Sequence, residues 1–156
     1  MVFVVFIKKP HLSALTKLQK SIILETEICR DGNFEFDIHT HTIASGHGSA
    51  ATITDMVKTA RTQHLNMLGI SDHGPATLGG GKPAYFRNLT YAPKNRMGIR
   101  MLYGAEVSIL DNHGKLDLED EILKHLDYVI ASLHRPAKRP GSKEEKTSSY
   151  IEAMKK

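Results

Sequence analysis

The residues with the clearest capacity for chemistry are Asp37, His39 and His41, in the run Asp37-Ile38-His39-Thr40-His41-Thr42 that follows Phe34-Glu35-Phe36. In a strand, successive side chains point to opposite faces, so positions i and i+2 share one face. Asp37, His39 and His41 then project together, and Ile38 turns away. Two imidazoles and a carboxylate at one strand end are costly to bury unless a charged species binds them. A divalent metal ion meets that requirement. Taken alone, the run equally describes a polar strand end with two solvated histidines.

Groups of the same kind recur farther along. His47 stands between two glycines in Ala44-Ser45-Gly46-His47-Gly48-Ser49, where backbone can approach a ligand closely. His73 follows the apolar run Met67–Ser71, in Asp72-His73-Gly74-Pro75. Glu106 lies inside the apolar run Ile99–Leu110, where an unpaired carboxylate costs several kcal/mol. His134 follows Asp127–Ser132, in Leu133-His134-Arg135-Pro136. The remaining histidines read as structural or solvated: His11 on the surface, His64 at a helix end where the dipole favours a cation, His113 in the turn Asp111–Gly114, and His125 capping a short helix. Leu78-Gly79-Gly80-Gly81-Lys82 lacks the spacing and the Lys-Ser/Thr ending of a phosphate-binding P-loop, and reads as a mobile rim.

These residues need elements to hold them. Residues 34–38 read as a first strand and 39–51 as a loop. Thr52 or Thr54 can cap a helix running to about His64, with Ile53, Met56, Val57, Ala60 and Leu65 inward. Met67–Ser71, Ile99–Leu110 and Asp127–Ser132 read as buried strands. Leu116–Leu126 reads as a short acidic helix, 137–149 as a polar segment, and Ser148 onward as a helix; 85–97 has no clear assignment. The strand–loop–helix rhythm repeats about four times, as in a parallel α/β fold. Histidines and a glutamate at strand C-terminal ends face one mouth in a parallel barrel, where active sites are built. Residues 1–33 are read as an extension of unknown role: an apolar strand at 2–7, a break at Pro10, and a helix over Leu12–Ile28.

Composition narrows the class. The chain has 156 residues, enough for one ordinary domain. Lys and Arg exceed Asp and Glu by 21 − 17 = 4, a scattered mild basicity compatible with an anionic substrate. The single cysteine, Cys29, excludes a disulfide framework and a cysteine-based zinc site within the chain. The apolar start at Met1–Ile7 lacks a signal peptide's flanks and is too short to span a bilayer, so a cytoplasmic protein without a membrane segment is expected. No aromatic–basic platform for nucleic acid is present.

Together the motifs Asp37-x-His39-x-His41, Ala44-Ser45-Gly46-His47, Ser71-Asp72-His73-Gly74, Gly104-Ala105-Glu106 and Ser132-Leu133-His134-Arg135-Pro136 resemble the PHP (polymerase and histidinol phosphatase) superfamily. Within it they are most similar to the YcdX-like phosphatases, over about residues 34–156. The resemblance implies a distorted (β/α)7 barrel with three divalent metals, usually zinc, with manganese or iron as alternatives. His39 and His41 would hold the first metal, Glu106 would bridge the first and second, His134 would join the second, and His47 and His73 the third. Asp37 and Asp72 would orient ligands, and Arg135 or Lys82 would steady a substrate phosphate. The implied reaction is metal-assisted hydrolysis of a small phosphate monoester; a homo-oligomer is compatible with the family.

Family members continue for roughly another third of the fold and carry further ligands there. The expectation is therefore an N-terminal portion of a PHP barrel, truncated after about four βα units, preceded by an N-terminal helical extension. As it stands it should bind metal weakly and turn nothing over. A barrel lacking strands should also leave a parallel sheet edge uncovered. Two other readings stay open: a non-catalytic metal-binding PHP module, and a metal-dependent amidohydrolase, which also uses His-x-His on a first strand.

Overall fold

The computed structural model describes residues 5–6, 35–134 and 141–155. The expected helix at Leu12–Ile28, His11, Cys29 and Arg135 lie outside them. The strands are β1 (Val5–Phe6), β2 (Phe36–Thr40), β3 (Met67–Ile70), β4 (Asn95–Arg96), β5 (Ile99–Ser108) and β6 (Tyr128–Ser132). The helices are α1 (Ile53–Thr62), α2 (Pro83–Leu89), α3 (Asp120–Leu123) and α4 (Lys143–Met154). The sheet runs β1-β6-β5-β3-β2. The pairs β2–β3, β3–β5 and β5–β6 are parallel, and with their crossover helices they form part of a barrel.

Alternation along the strands sorts the side chains. On β5 and just past it, Met101, Tyr103, Ala105, Val107 and Ile109 join the helix-side core, with Leu68 and Ile70 of β3 and Val129 and Ala131 of β6. Val57 and Ala60 of α1, Phe86 and Leu89 of α2, and Ile122 and Leu123 of α3 cover that face. The intervening residues, Gly104, Glu106 and Ser108, take the opposite, inner face. There the Tyr128 ring crosses the space left by Gly104 and Gly69, and its hydroxyl donates to the Ile38 carbonyl at 2.7 Å. One side chain thus spans from β6 to β2.

The helix starts are explained by their caps. Thr52 caps α1 in a reciprocal box with Asp55. Ser142 does the same for α4 with Glu145, so that helix begins at Lys143 rather than near Ser148; the Ser-x-x-Glu signal was hidden in a polar stretch. Residues 85–97 resolve into most of α2 and the short strand β4, which forms a hairpin with β5. Its turn places Met97 at φ 54°, a residue type that gives no turn signal. The β6 edge is not left open: β1 pairs with it antiparallel, Val5 opposite Ala131 and Phe6 opposite Ile130. Among the described residues no helix is long and apolar enough to cross a membrane.

The glycine loop is a clamp rather than a mobile rim. Gly46, at φ 73°, lies against the backbone of Gly79, and a Cβ on Gly46 would sit 2.2 Å from the Gly79 carbonyl carbon. The Gly81 N–H donates to the His73 carbonyl at 2.8 Å. The loop after β2 and the loop after β3 are therefore wedged together. Gly46→Ala should destabilise the protein by at least about 2 kcal/mol, combining left-handed strain with the backbone collision. Gly48→Ala, also at positive φ but with open space around it, should cost about 1 kcal/mol. Urea unfolding of both variants measures the difference, and equal midpoints would contradict the clamp.

Candidate metal centre

Glu106 is the centre of the site. It is 3% exposed and sits on the inner face of β5, where the strand next to it is extended by a single parallel bridge from His73. Its backbone N–H donates to the Asp72 carbonyl at 3.0 Å, and its carbonyl accepts from the Gly74 N–H at 2.9 Å. This pairing continues the β3–β5 ladder past the end of β3 and fixes His73 beside Glu106.

Four imidazoles converge on the carboxylate. His39 Nε2 lies 3.2 Å from Oε2, His41 Nε2 3.3 Å and His73 Nδ1 3.2 Å from the same oxygen, and His134 Nε2 is 3.1 Å from Oε1. His47 completes the array from the glycine turn. Its ring centroid is 5.1 Å from that of His41 and 4.6 Å from that of His73. His41 and His73 stack at 4.5 Å. The side of the cluster near His39, whose side chain is 38% exposed, opens to solvent.

The electrostatics suit cation binding. Burial alone would raise the Glu106 carboxyl, but hydrogen bonds from histidines such as His134 and His39 more than offset it and hold the group well below the usual carboxylate range. Burial pushes His73 down to about 4, against the opposing pull of Glu106, and it lowers His41 in the same way. Those two rings keep a lone pair at neutral pH, the form a metal requires.

Whether the residues fit a metal is tested by His73. Its Nδ1 is buried and makes no hydrogen bond; Glu106 Oε2 is near but outside hydrogen-bonding geometry. A buried nitrogen lone pair facing a carboxylate oxygen is unfavourable unless a cation lies with them. Three sets can each hold an ion, with ligand atoms within 4.8 Å of one another: His39, His41 and Glu106; His73, Glu106 and His134; His41, His47 and His73. Imidazole with carboxylate suits zinc, manganese or iron. All six residues expected as ligands are brought together, with His41, His73 and Glu106 each shared between two sets.

The other expected site residues are placed differently. Asp37 is exposed, and its Oδ1 accepts from the His39 backbone N–H at 3.0 Å; it holds the strand end rather than an imidazole ring. Asp72 is fully buried behind the cluster. It accepts from the Thr42 N–H at 2.5 Å, the Thr42 hydroxyl at 2.8 Å, the Ser45 hydroxyl at 2.7 Å and the Tyr85 hydroxyl. It therefore acts on His41 through Ser45. Burial, together with Asp72, pushes the Tyr85 phenol up, so this donor keeps its proton. Lys82 is exposed at the N-cap of α2. Ser45, Thr42, Tyr85 and Ser108, whose hydroxyl meets His134 Nδ1 at 2.9 Å, were missed. Ser45 lies inside a recognised motif but was read there only as part of the turn that carries His47.

Fold and cluster together define an α/β protein with a histidine–carboxylate cluster able to hold metal at the C-terminal ends of parallel strands. A family model described as the PHP domain matches residues 37–156, and the chain belongs to that family. It is 41% identical over 121 residues to a "probable phosphatase" of Clostridium novyi, covering 78% of this chain and 49% of that protein. It is 42% identical over 122 residues to one of Acetivibrio thermocellus, covering 78% and 50%, and 43% identical over 120 residues to one of Caldanaerobacter subterraneus, covering 76% and 47%. The chain spans about half the length of the curated relatives it matches.

Metal analysis of the whole protein after dialysis against Zn2+ should find more than one ion per chain. Glu106→Gln should weaken binding by more than the roughly 10–100-fold typical of outer-shell partners. Undiminished zinc in Glu106→Gln would refute the central role of this carboxylate.

Proposed function

We propose that these residues form part of the active site of a metal-dependent hydrolase of small phosphate monoesters, with zinc the favoured metal and manganese or iron as alternatives. The observation that carries the reading is the buried Glu106 carboxylate ringed by imidazoles at strand C-terminal ends, in a chain whose relatives bear the name probable phosphatase. Divalent ions held there would supply Lewis acidity, neutralising phosphate oxygens as charge develops in the transition state.

The chain's own residues do the rest. Among the described residues Glu106 brings the only carboxylate into the ring of imidazoles, and its two oxygens face different histidines, so it can serve two cations that would otherwise repel. His39, His41 and His73 lie against one oxygen and His134 against the other. The two loops carrying His47 and His73 are wedged together at Gly46 and Gly79, which limits reorganisation of their backbone when an anion enters. Substrate reaches the cluster from the open side near His39. Lys82 and Arg135 are the candidates for steadying the phosphate. The activity assigned is that of the whole protein, acting in the cytoplasm on a soluble phosphorylated metabolite rather than on nucleic acid.

The test offers the whole protein an aryl phosphate, with an N-acyl amide as competitor, in the presence of Zn2+ or Mn2+. Hydrolysis of the monoester is expected, and His39→Ala or Glu106→Gln should lower kcat/KM by at least about 100-fold while circular dichroism stays unchanged. Turnover of the amide alone would favour an amidohydrolase. Tight metal binding without turnover of either would favour a non-catalytic metal-binding module.

A further inference from the structure

We propose that Ser45 is a positioning residue that locks His41 as its Nδ1-protonated tautomer and so dedicates Nε2 to the metal. This rests on the reading that the cluster holds divalent cations. The argument is a count of donors and acceptors around one hydroxyl. Ser45 is fully buried, so its partners are all within the protein. A serine hydroxyl has one proton to give and two lone pairs to receive.

Three groups meet it. Asp72 Oδ1 lies at 2.7 Å, the His73 backbone N–H at 3.1 Å, and His41 Nδ1 at 3.1 Å. The backbone N–H can only donate, and it takes one lone pair. All four partners of the Asp72 carboxylate are donors, so the Ser45 proton goes to it. One lone pair then remains, and His41 Nδ1 must be the donor that fills it. The ring's other nitrogen, Nε2, is left with its lone pair 3.3 Å from Glu106 Oε2, on the side where the cation sets form. The opposite tautomer would set two lone pairs against each other at Nδ1 and bury an unsatisfied hydroxyl acceptor, at the usual cost of such a group.

The chain locks this arrangement from behind. Thr42 and Tyr85 also donate to Asp72, so α2 and the loop after β2 hold the carboxylate that orients the hydroxyl. Thr42 and Tyr85 bind Asp72 rather than an imidazole. Their effect on the metal runs through Ser45.

The test is long-range proton–nitrogen correlation spectroscopy of the isotope-labelled chain, metal-free and then titrated with Zn2+ alone. In the metal-free protein the His41 proton should reside on Nδ1, and Zn2+ should shift Nε2. A proton on Nε2, or zinc on Nδ1, would overturn the proposal. In Ser45→Ala the His41 ring should become a mixture of tautomers and zinc affinity should fall roughly 10–100-fold. His134 should be unaffected, because its Nδ1 rests on Ser108. Ser45→Cys, which keeps a weak donor and acceptor, should recover part of the loss. Weakened affinity with the His41 tautomer unchanged would mean that Ser45 is merely structural, and would overturn the assignment. If Ser45→Ala fails to fold, the wild-type spectrum still decides. Absence of phosphatase activity with the tautomer lock intact would sink the phosphatase reading and leave this one standing.

Discussion

A carboxylate inside an apolar strand is the constraint on which the rest of the structure depends. Glu106 stands between Ala105 and Val107, both fully buried in the helix-side core. An ion in that position, left alone, costs several kcal/mol. The fold meets the cost with nitrogens rather than with a lysine or arginine. Four imidazoles from the ends of three strands crowd its two oxygens. That solution works only if the strands are parallel and in register, since each must deliver its last residues to one end of the sheet. The bridge between His73 and Glu106 extends that register past the last residue of β3, and the glycine clamp between the two loops keeps it there.

Behind this first ring lies a second polar layer, on the other side of the strand ends. Asp72 is adjacent to His73 in sequence, so it points the opposite way and cannot reach Glu106. It gathers Thr42, Ser45 and Tyr85 instead. The alternation that makes His73 a ligand makes its neighbour a support. The same holds on β5, where Glu106 and Ser108 share the inner face and Ser108 meets His134. A strand end therefore carries both a residue that faces the cluster and one that supports it, separated by one or two positions.

Much of this was legible in the sequence, and the limits have physical causes. The i, i+2 spacing of His39 and His41 gave their common face, and the isolated Glu106 in an apolar run demanded partners. The strands ending at Ile70, Ser108 and Ser132 were visible because buried parallel strands are apolar throughout. What could not be read was contact across the sheet. That His73 Nδ1 lies beside Glu106 follows from register, and that Ser45 sits under His41 follows from a short helical turn at Ile43–Ser45; neither leaves a periodic trace. Tyr85 was lost because α2 is too short to show a pattern. The glycines were misjudged because glycine permits mobility and close approach equally, and only the neighbouring backbone distinguishes them.

The shared ligands carry a consequence for what the centre can do. His41, His73 and Glu106 each belong to two of the three sets. A neutral imidazole has one lone pair, so His41 and His73 can each serve only one ion at a time, whereas Glu106 can offer one oxygen to each of two. Five imidazoles and two carboxylate oxygens supply seven donor atoms, fewer than three ions need for even three protein ligands each. Among the described residues, then, full occupancy leaves coordination positions for other groups. Solvent, an anion or a further protein side chain can fill them.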